Sequence, residues 1–350
     1  MLFIVPFHVL ADSGKSTIVM DADSGRILYQ KNIDQKQLIA STTKIMTCIV
    51  VLENFNIDSE IIVGDEVNGM YGTNIYIEKG EKIKIKDLLY GLMLRSGNDA
   101  AVALAANTLG ENEFVNKMNE KSEQLGMKNT VFNNPHGLDD ETKNYSTAYD
   151  MALLARYAFK NPVYRKIIST RKYVTKSSMK SYVWYNRMSL LGNYKYCIGG
   201  KNGYTPSAGK SLVSYAQKGD LTLMIISLND QSIYENHKSL YNRYFLSYKN
   251  YKIVESGDMN INGADYNIKN SFIYPLTESE LDNVSTLIKI EPKSLNQKVG
   301  KIEIRLNNNI IGITDIYKKT KIKKEKKSLF EKILNLFCWY SKEVYGRTTE

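Results

Sequence analysis

Cysteine and histidine are scarce in this chain, which has only three of each among its 350 residues. The cysteines, Cys48, Cys197 and Cys338, form no Cys-x-x-Cys pair and no cluster with the histidines. This pattern excludes a framework of paired disulfides and argues against a zinc or iron site. Cys48 lies in an apolar run, so we expect it to be a small core residue.

Proline is also rare, with six residues, while 43% of the residues are hydrophobic and 24% are charged. This composition is typical of a globular protein and excludes long disordered or collagen-like segments. A chain of 350 residues can bury a large core and is expected to hold more than one domain.

Positive charge is in excess, but it is unevenly distributed. The formal net charge is +10, and the segment from Lys318 to Lys327 has seven lysines and one glutamate, so it carries six of those ten charges. An enzyme of nucleic acids is expected to spread positive charge over a folded face. The sequence therefore argues against a nucleic-acid partner.

The N-terminal residues 1–11 are apolar up to Leu10 and too few to span a bilayer. They fit the hydrophobic region of a secretory signal, with Val9 and Ala11 as small residues before a cleavage point. The usual positively charged start is missing, and a buried N-terminal strand is the alternative. We expect a signal peptide and hence an exported protein.

The C-terminal residues 317–350 combine the lysine run with the apolar sequence SLFEKILNLFCWY at helical spacing. Such a helix is predicted to lie in the headgroup layer of an anionic membrane, because it is too short to span and is flanked by lysines. Packing on the protein's own domain is the alternative. This segment predicts peripheral anchoring at the outer face of the cytoplasmic membrane.

Between these ends, the pattern changes from helices to strands. Residues 17–31 predict two strands around an Asp-Ser-Gly turn, helical patterns follow from Ser41 to about residue 159, and strands and loops are expected from Tyr173 onward. Helices followed by strands, with an N-terminal hairpin that joins the later sheet, predict an α+β domain over 12–246. Short β-like runs predict a small separate β domain over 247–316.

Ser41 and Lys44 stand at the start of the apolar run KIMTCIVVLEN. Their spacing puts both side chains on one face of a helix, whose first N–H groups favour developing negative charge. A lysine whose pKa is lowered by burial and by a second cation can take the serine proton and make the hydroxyl a nucleophile. A serine cap beside a solvated lysine is the plain alternative, and Ser177-x-x-Lys180 shows the same spacing by chance.

Ser96, Gly97 and Asn98 fall between two apolar helical patterns. As functional residues, Ser96 would relay a proton to the leaving amine and Asn98 would hold Lys44 or a substrate carbonyl. An ordinary helix cap is the alternative.

Lys201 and Gly203 open a predicted strand, and Lys201 is the candidate second cation. A glycine in a strand often marks close approach of a ligand or another backbone. We expect the backbone N–H groups of Tyr204 and Ser41 to form an oxyanion hole there. A surface turn is the alternative for this segment.

Five segments in this order resemble the D-alanyl-D-alanine carboxypeptidases, the low-molecular-mass penicillin-binding proteins. They are STTKIMT, LLYGLMLRSGNDAAVALA, NNPHGLDD, YSTAYDMALLARYA and GGKNGYTPSAGKSLV, within a likeness that covers most of residues 17–230. The resemblance implies a penicillin-binding-protein/β-lactamase-like transpeptidase domain, an antiparallel sheet with a helical cluster, followed by a small β domain and an amphipathic tail helix. It also implies removal of the terminal D-alanine from peptidoglycan stem peptides, covalent inhibition by β-lactam antibiotics, and no metal or organic cofactor.

The resemblance implies roles by position. Ser41 would form the acyl-enzyme, Lys44 would be its general base, Ser96 would act in proton transfer, and Lys201 would help bind substrate. Arg187 would pair with the terminal carboxylate of the peptide. No chemistry is assigned to the histidine of the Pro-His-Gly-Leu segment.

One position departs from the family pattern. The family normally has threonine between the lysine and glycine of its third motif, where the hydroxyl donates to the substrate carboxylate, and this chain has Asn202. An asparagine amide also donates but is longer and planar, so we expect activity at a changed rate or specificity. An endopeptidase, a serine β-lactamase and a non-catalytic wall-binding protein remain alternative functions, and Asn202 is the only feature that favours the last.

Overall fold

The computed structural model describes residues 12–290 and 297–319. These residues form two compact units, one of 12–251 with 273–282, and one of 252–272 with the described residues from 283 onward. The predicted signal peptide and the predicted tail helix lie outside the described residues, and the predicted domain boundaries after residues 246 and 316 stay predictions. Within the described part of the chain, no helix is both long enough and apolar enough to cross a bilayer.

The α-helices of the described residues are α1 Lys44–Asn54, α2 Ile85–Tyr90, α3 Asn98–Thr108, α4 Glu111–Gln124, α5 Ala148–Lys160, α6 Pro162–Ser169, α7 Leu190–Asn193 and α8 Ile233–Ser247. The strands are β1 Gly14–Asp21, β2 Ile27–Lys31, β3 Gln37–Leu38, β4 Glu60–Ile62, β5 Lys82–Lys84, β6 Tyr145–Ser146, β7 Lys172–Lys176, β8 Ser181–Tyr185, β9 Cys197–Thr205, β10 Gly209–Lys218, β11 Leu221–Asp230, β12 Lys249–Val254, β13 Gly257–Ile261, β14 Ala264–Ile268, β15 Phe272–Leu276, β16 Val284–Ile290, β17 Lys298–Leu306 and β18 Asn309–Lys318.

The first unit is built on a five-stranded sheet in the order β2-β1-β11-β10-β9. Every neighbouring pair in this sheet is antiparallel. The predicted N-terminal hairpin is confirmed as β1 and β2, and it joins the later strands through the pairing of β1 with β11. Strand β9 is one of the two edge strands, so one side of its backbone faces away from the rest of the sheet.

The two faces of this sheet bury different cores. Alternate side chains along β1, β10 and β11 pack against the helical cluster on one face, where Ile18, Val213 and Ile226 lie. The other residues of the same strands pack against α8, where Val19 and Leu212 lie. This alternation follows from the two-residue period of a strand, and it decides which side chains of β9 can reach each face.

Helix α1 runs through the core of the first unit. All residues from Lys44 to Val51 are buried, so the helix has no hydrated face over its first two turns. Cys48 is fully buried among them, which confirms its prediction as a core residue. A lysine at the first position of this helix is therefore removed from water by the same packing that forms the core.

The sequence prediction missed helix α8. Strands and loops were expected after Tyr173, but residues Ile233–Ser247 form a helix whose residues Ile233, Leu240 and Tyr241 pack on the sheet. The apolar stripe is interrupted by His237, which is fully buried and bonded through its ring nitrogens to the hydroxyls of Ser214 and Ser227. A buried polar residue that hydrogen-bonds to the sheet interrupts the apolar period of the helix, because a polar residue in a sequence indicates an exposed position.

The second unit contains a five-stranded sheet in the order β13-β14-β18-β17-β16. The β-like runs predicted in this part of the chain are observed as β16, β17 and β18, which pair as antiparallel neighbours. Its core includes Ile302, Ile304 and Ile316. None of the candidate site residues lies in this sheet.

Candidate active site

The side-chain amine of Lys44 has three oxygen neighbours. Its Nζ lies 3.0 Å from Ser41 Oγ, 2.8 Å from Asn98 Oδ1 and 2.6 Å from the backbone oxygen of His136. The last two atoms can only accept hydrogen bonds, whereas a serine hydroxyl can donate or accept. A neutral amine has two N–H donors and one lone pair, so both carbonyl oxygens take its protons and its lone pair is left for the hydrogen of Ser41.

The surroundings favour this neutral form. Burial of the side chain, followed by the positive charge of Lys201, lowers the pKa of Lys44 well below its ordinary value, and the carboxylate of Asp99 opposes this shift. Lys44 is fully buried. The spacing of Ser41 and Lys44 in the sequence thus brings the candidate nucleophile into contact with the candidate base.

A second pair, of Lys201 and Ser96, lies beside the first. The Nζ of Lys201 donates to Ser96 Oγ at 3.0 Å and to the backbone oxygen of Asn202 at 2.6 Å. Burial and then the charge of Arg187 lower the pKa of Lys201 to about 7. Each of the two serine hydroxyls therefore lies within hydrogen-bond distance of a lysine amine.

Ser96 adopts a backbone conformation that side chains rarely take. Its φ of 66° and ψ of 32° lie in the left-handed region, at the end of the π-helical segment Gly91–Arg95. Such strain and such π segments occur often at functional sites. The turn ends one helix and lets α3 begin two residues later, which directs the Ser96 hydroxyl to Lys201.

Asn98 joins this turn to a neighbouring loop. Its backbone N–H donates to the oxygen of Thr73 at 2.7 Å, and its side-chain Nδ2 donates to the oxygen of Tyr71 at 2.8 Å. These bonds fix the amide so that Oδ1 points to Lys44. The structure therefore places Asn98 as a partner of the lysine amine, one of the two roles expected for it.

Strand β9 begins four residues before Lys201, so the motif lies within the strand and not at its start. Gly203 lies against the candidate nucleophile: a Cβ at this position would be 2.9 Å from the backbone nitrogen of Ser41 and 3.0 Å from that of Thr42. Real Cβ atoms essentially never show the shorter of these distances, and the longer one is tighter than nearly all real Cβ contacts. The absence of a side chain at position 203 is what lets the edge of the sheet approach the start of α1.

The side chain of Asn202 lies on the opposite face of β9 from that of Lys201. Lys201 pairs with Val213 and Asn202 with Leu212, and these two β10 residues belong to opposite faces of the sheet. Tyr204 shares the face of Asn202 and has a side chain 64% exposed. The structure thus brings Ser41, Lys44, Asn98, Ser96 and Lys201 together and leaves these two side chains on the α8 side.

Arg187 lies close enough to Lys201 for its charge to lower the lysine pKa. Its Nη1 donates to Thr73 Oγ1 at 3.2 Å. Within the described part of the chain, no carboxylate forms an ion pair with this guanidinium. Most of its hydrogen-bond donors are therefore available to an anion.

Two contributors to the site were missed in the sequence. The backbone oxygen of His136 accepts a hydrogen bond from Lys44. Burial lowers the pKa of the His136 ring to about 3, so the imidazole is neutral. The carboxylate of Asp99 accepts the backbone N–H groups of Ile75, Tyr76 and Ile77, which holds the loop beside Ser96. Asp99 could be predicted as a capping residue because it stands at the start of a helical pattern. The contact of the His136 backbone oxygen could not be predicted, because it does not depend on the residue type.

Comparison with known proteins agrees with this geometry. The model of the D-alanyl-D-alanine carboxypeptidase family matches residues 8–232. The D-alanyl-D-alanine carboxypeptidase DacF of Bacillus subtilis (strain 168) is 32% identical over 311 residues, which cover 86% of this chain and 78% of that protein. The D-alanyl-D-alanine carboxypeptidase DacA of Haemophilus influenzae is 31% identical over 334 residues, which cover 87% of this chain and 84% of that protein.

Solved structures agree with the fold. Penicillin binding protein 5 from Haemophilus influenzae superimposes with a TM-score of 0.75 at 26% identity, over 88% of this chain and 97% of that one. The arrangement of an antiparallel sheet with a helical cluster, predicted from the resemblance, is therefore confirmed. The chain belongs to the D-alanyl-D-alanine carboxypeptidase family.

Proposed function

We propose that this chain is a serine-type D-alanyl-D-alanine carboxypeptidase that removes the terminal D-alanine from peptidoglycan stem pentapeptides through an acyl-enzyme on Ser41. The contact of a neutral Lys44 amine with the Ser41 hydroxyl at 3.0 Å carries this proposal. The family assignment supports it, since relatives matched over most of this chain bear the same name.

In the first step, Lys44 Nζ takes the proton from Ser41 Oγ while Oγ bonds to the carbonyl carbon of the penultimate D-alanine. The negative charge that develops on the carbonyl oxygen needs donors placed before the reaction. The backbone N–H groups of Ser41 and Tyr204 are proposed for this role, because Gly203 brings β9 against the start of α1.

In the second step, the bond from that carbon to the nitrogen of the terminal D-alanine breaks. The leaving amine takes a proton from Ser96, which regains one from the paired lysines, so the proton removed from Ser41 leaves with the product. Water then adds to the acyl carbon while Lys44 takes one of its protons, and the bond to Ser41 breaks as Oγ regains that proton, which releases the shortened peptide. No other reactant is required.

The carboxylate of the terminal D-alanine is proposed to bind Lys201 and Arg187. Lys201 is charged below its pKa of about 7, and Arg187 has donors that no described carboxylate uses. Since the Asn202 side chain lies on the α8 face of β9, it reaches the carboxylate only around the strand edge. A large gain in turnover in an Asn202→Thr variant would indicate that asparagine at this position lowers the activity of the natural protein.

The same site is proposed to bind β-lactam antibiotics covalently at Ser41, with the stem peptides as natural substrate. Export, by the predicted signal in residues 1–11, and peripheral anchoring to an anionic membrane, by the predicted helix in 317–350, are part of the proposal and rest on the sequence patterns alone. Export places the site where peptidoglycan is found.

Incubation with a purified stem pentapeptide, followed by mass spectrometry, tests this function. We expect loss of one D-alanine and no further cleavage, and no loss with Ser41→Ala. Cleavage of cross-linked dimers but not of the pentapeptide would identify an endopeptidase. Rapid turnover of penicillin would identify a β-lactamase, and failure with both peptides and penicillin would identify a non-catalytic protein.

A further inference from the structure

Residues 134–139 form a segment that contacts three separate parts of the site. The oxygen of His136 binds the amine of Lys44 at 2.6 Å. At Gly137, where φ is +89°, a Cβ would lie only 2.0 Å from the backbone oxygen of Ala40. The carboxylate of Asp139 accepts a hydrogen bond from Thr205 Oγ1 at 2.7 Å. One short segment thus bonds to the base, packs on the residue before the nucleophile, and bonds to the end of β9.

The bond between Asp139 and Thr205 is buried. Asp139 is 8% exposed and Thr205 is 6% exposed. The Thr205 hydroxyl uses its hydrogen for Asp139 and accepts the backbone N–H of Ala208 at 3.0 Å, which stabilises the turn that leads to β10. Its capacity as a donor is therefore committed to one carboxylate, which fixes the end of β9 relative to the 134–139 segment.

The position of this bond along the chain relates it to the reaction. Thr205 directly follows Tyr204, whose backbone N–H is proposed for the oxyanion hole, and Asp139 follows by two residues the glycine that packs against Ala40. The two N–H groups of the oxyanion hole come from different elements, the start of α1 and the edge of the sheet. In the sequence these elements are far apart, so contacts such as this one must set their spacing.

We propose that Asp139 and Thr205 are a pair of positioning residues, whose hydrogen bond sets the spacing between the backbone N–H groups of Ser41 and Tyr204. This inference rests on the proposed function, since it assigns the pair a role in the same acylation step. Neither residue touches the substrate. Their effect is exerted through β9 and through the segment that lies against Ala40.

The pair is expected to affect rate more than binding. Donors in an oxyanion hole act only when they lie at the position of the developing charge, and a displacement of about 1 Å in such a site can lower the rate on the order of a hundredfold. A bond that only stabilises the fold would instead change the fraction of folded protein and leave each folded molecule with its normal rate.

Labelling with a fluorescent penicillin separates these two effects, because it gives both a rate constant and a final amplitude. The rate constant reports the reaction of each competent molecule, and the amplitude reports how many molecules are competent. The variants are Thr205→Val, which keeps the shape and removes the donor, and Thr205→Ser, which keeps the donor. Thr205→Ala replaces the valine variant if that protein fails to fold.

A matched control is available in the same unit. Thr130 Oγ1 donates to Asp150 Oδ2 at 2.8 Å, so Thr130→Val removes a threonine–aspartate bond of the same kind away from the candidate site residues. Ser41→Ala in the same experiment reports whether labelling depends on the nucleophile at all. If wild-type protein is not labelled through Ser41, the proposed function itself fails.

For wild-type protein that is labelled through Ser41, we expect Thr205→Val to lower the rate constant about tenfold to a hundredfold at full amplitude. Thr205→Ser should restore the rate to within about threefold of wild type, and Thr130→Val should leave it unchanged. A normal rate constant in Thr205→Val, or a rate as slow in Thr205→Ser or Thr130→Val, overturns the proposal.

Discussion

Lys44 and Lys201 are both buried, and the charge of Lys201 is one of the causes that lower the pKa of Lys44. Each amine bonds to one of two serines, Lys44 to Ser41 and Lys201 to Ser96, at 3.0 Å in both cases. The cost of burying two ammonium groups is large. Because of this cost, burial favours the neutral form of the Lys44 amine, which lies beside the Ser41 hydroxyl that must lose its proton.

Replacing Lys44 by arginine tests the need for a neutral base. Arginine is also long and basic, but it does not lose its proton in proteins and would stay charged where Lys44 is neutral. Acylation by penicillin should therefore fall on the order of a thousandfold, as expected for the loss of a general base. The rate of covalent labelling measures this, with the exposed Lys84→Arg as control. A Lys44→Arg protein that acylates within about tenfold of wild type contradicts the assignment of Lys44.

Ser96→Ala tests proton transfer to the leaving group. A peptide substrate expels an amine that must be protonated, whereas a thioester analogue expels a thiolate that leaves without a proton. We expect the variant to lose about a hundredfold or more with the peptide and clearly less with the thioester. The ratio of the two kcat/KM values measures this difference. Equal losses with both substrates would show that Ser96 does not supply the proton.

Lys201→Met should stabilise the protein, and the gain should depend on pH. The pKa of Lys201 is about 7 in the folded protein, below its ordinary value of 10.5. Below pH 7 the lysine is charged in both states, and the cost of burying its charge is fully present. Between pH 7 and 10.5 only the unfolded state holds the proton, so wild-type stability rises with pH through that window.

Methionine has no such proton, so the gain in Tm from Lys201→Met should be largest near pH 6 and should shrink by about pH 9. Thermal unfolding of both proteins at the two pH values measures it, with Lys84→Met as the exposed control. A gain that stays constant or grows with pH would mean that Lys201 is not neutralised by its surroundings.

Gly203→Ala tests the approach of β9 to the nucleophile. The new Cβ would lie 2.9 Å from the backbone nitrogen of Ser41, so either the strand or the start of α1 must move. Acylation should slow about tenfold or more, because the proposed oxyanion donors separate. Gly192→Ala is the matched control, since a Cβ there meets nothing within 4 Å. Equal acylation rates in Gly203→Ala and Gly192→Ala would show that the close approach of β9 at Gly203 is not needed for acylation.

The contact of Ser41 with Lys44 was predictable because the two residues are three positions apart, with Ser41 in the 3-10 turn Ala40–Thr43 that leads directly into α1 at Lys44. The contact of Lys201 with Ser96 joins residues 105 positions apart, and its side-chain geometry depends on the strained turn at Ser96. The resemblance grouped these residues from their order in the sequence, but it did not predict the bond of Lys201 with Ser96.

Three other features of the structure were not predicted from the sequence. The face on which Asn202 lies follows from the register of β9 against β10, and register is a property of the assembled sheet. The oxygen of His136 contributes through the backbone, so no residue type marks it. Helix α8 was missed because buried polar residues that bond to the sheet interrupt its apolar period.

The most direct test of the central claim is to find where a β-lactam attaches and whether attachment needs Lys44. Protein incubated with benzylpenicillin at neutral pH is digested, and its peptides are mapped by mass spectrometry. We predict one penicilloyl group, on Ser41, in the wild-type protein, and none in Lys44→Arg after the same time. An adduct on another residue, or an unmodified Ser41 in folded wild-type protein, would contradict the proposed mechanism.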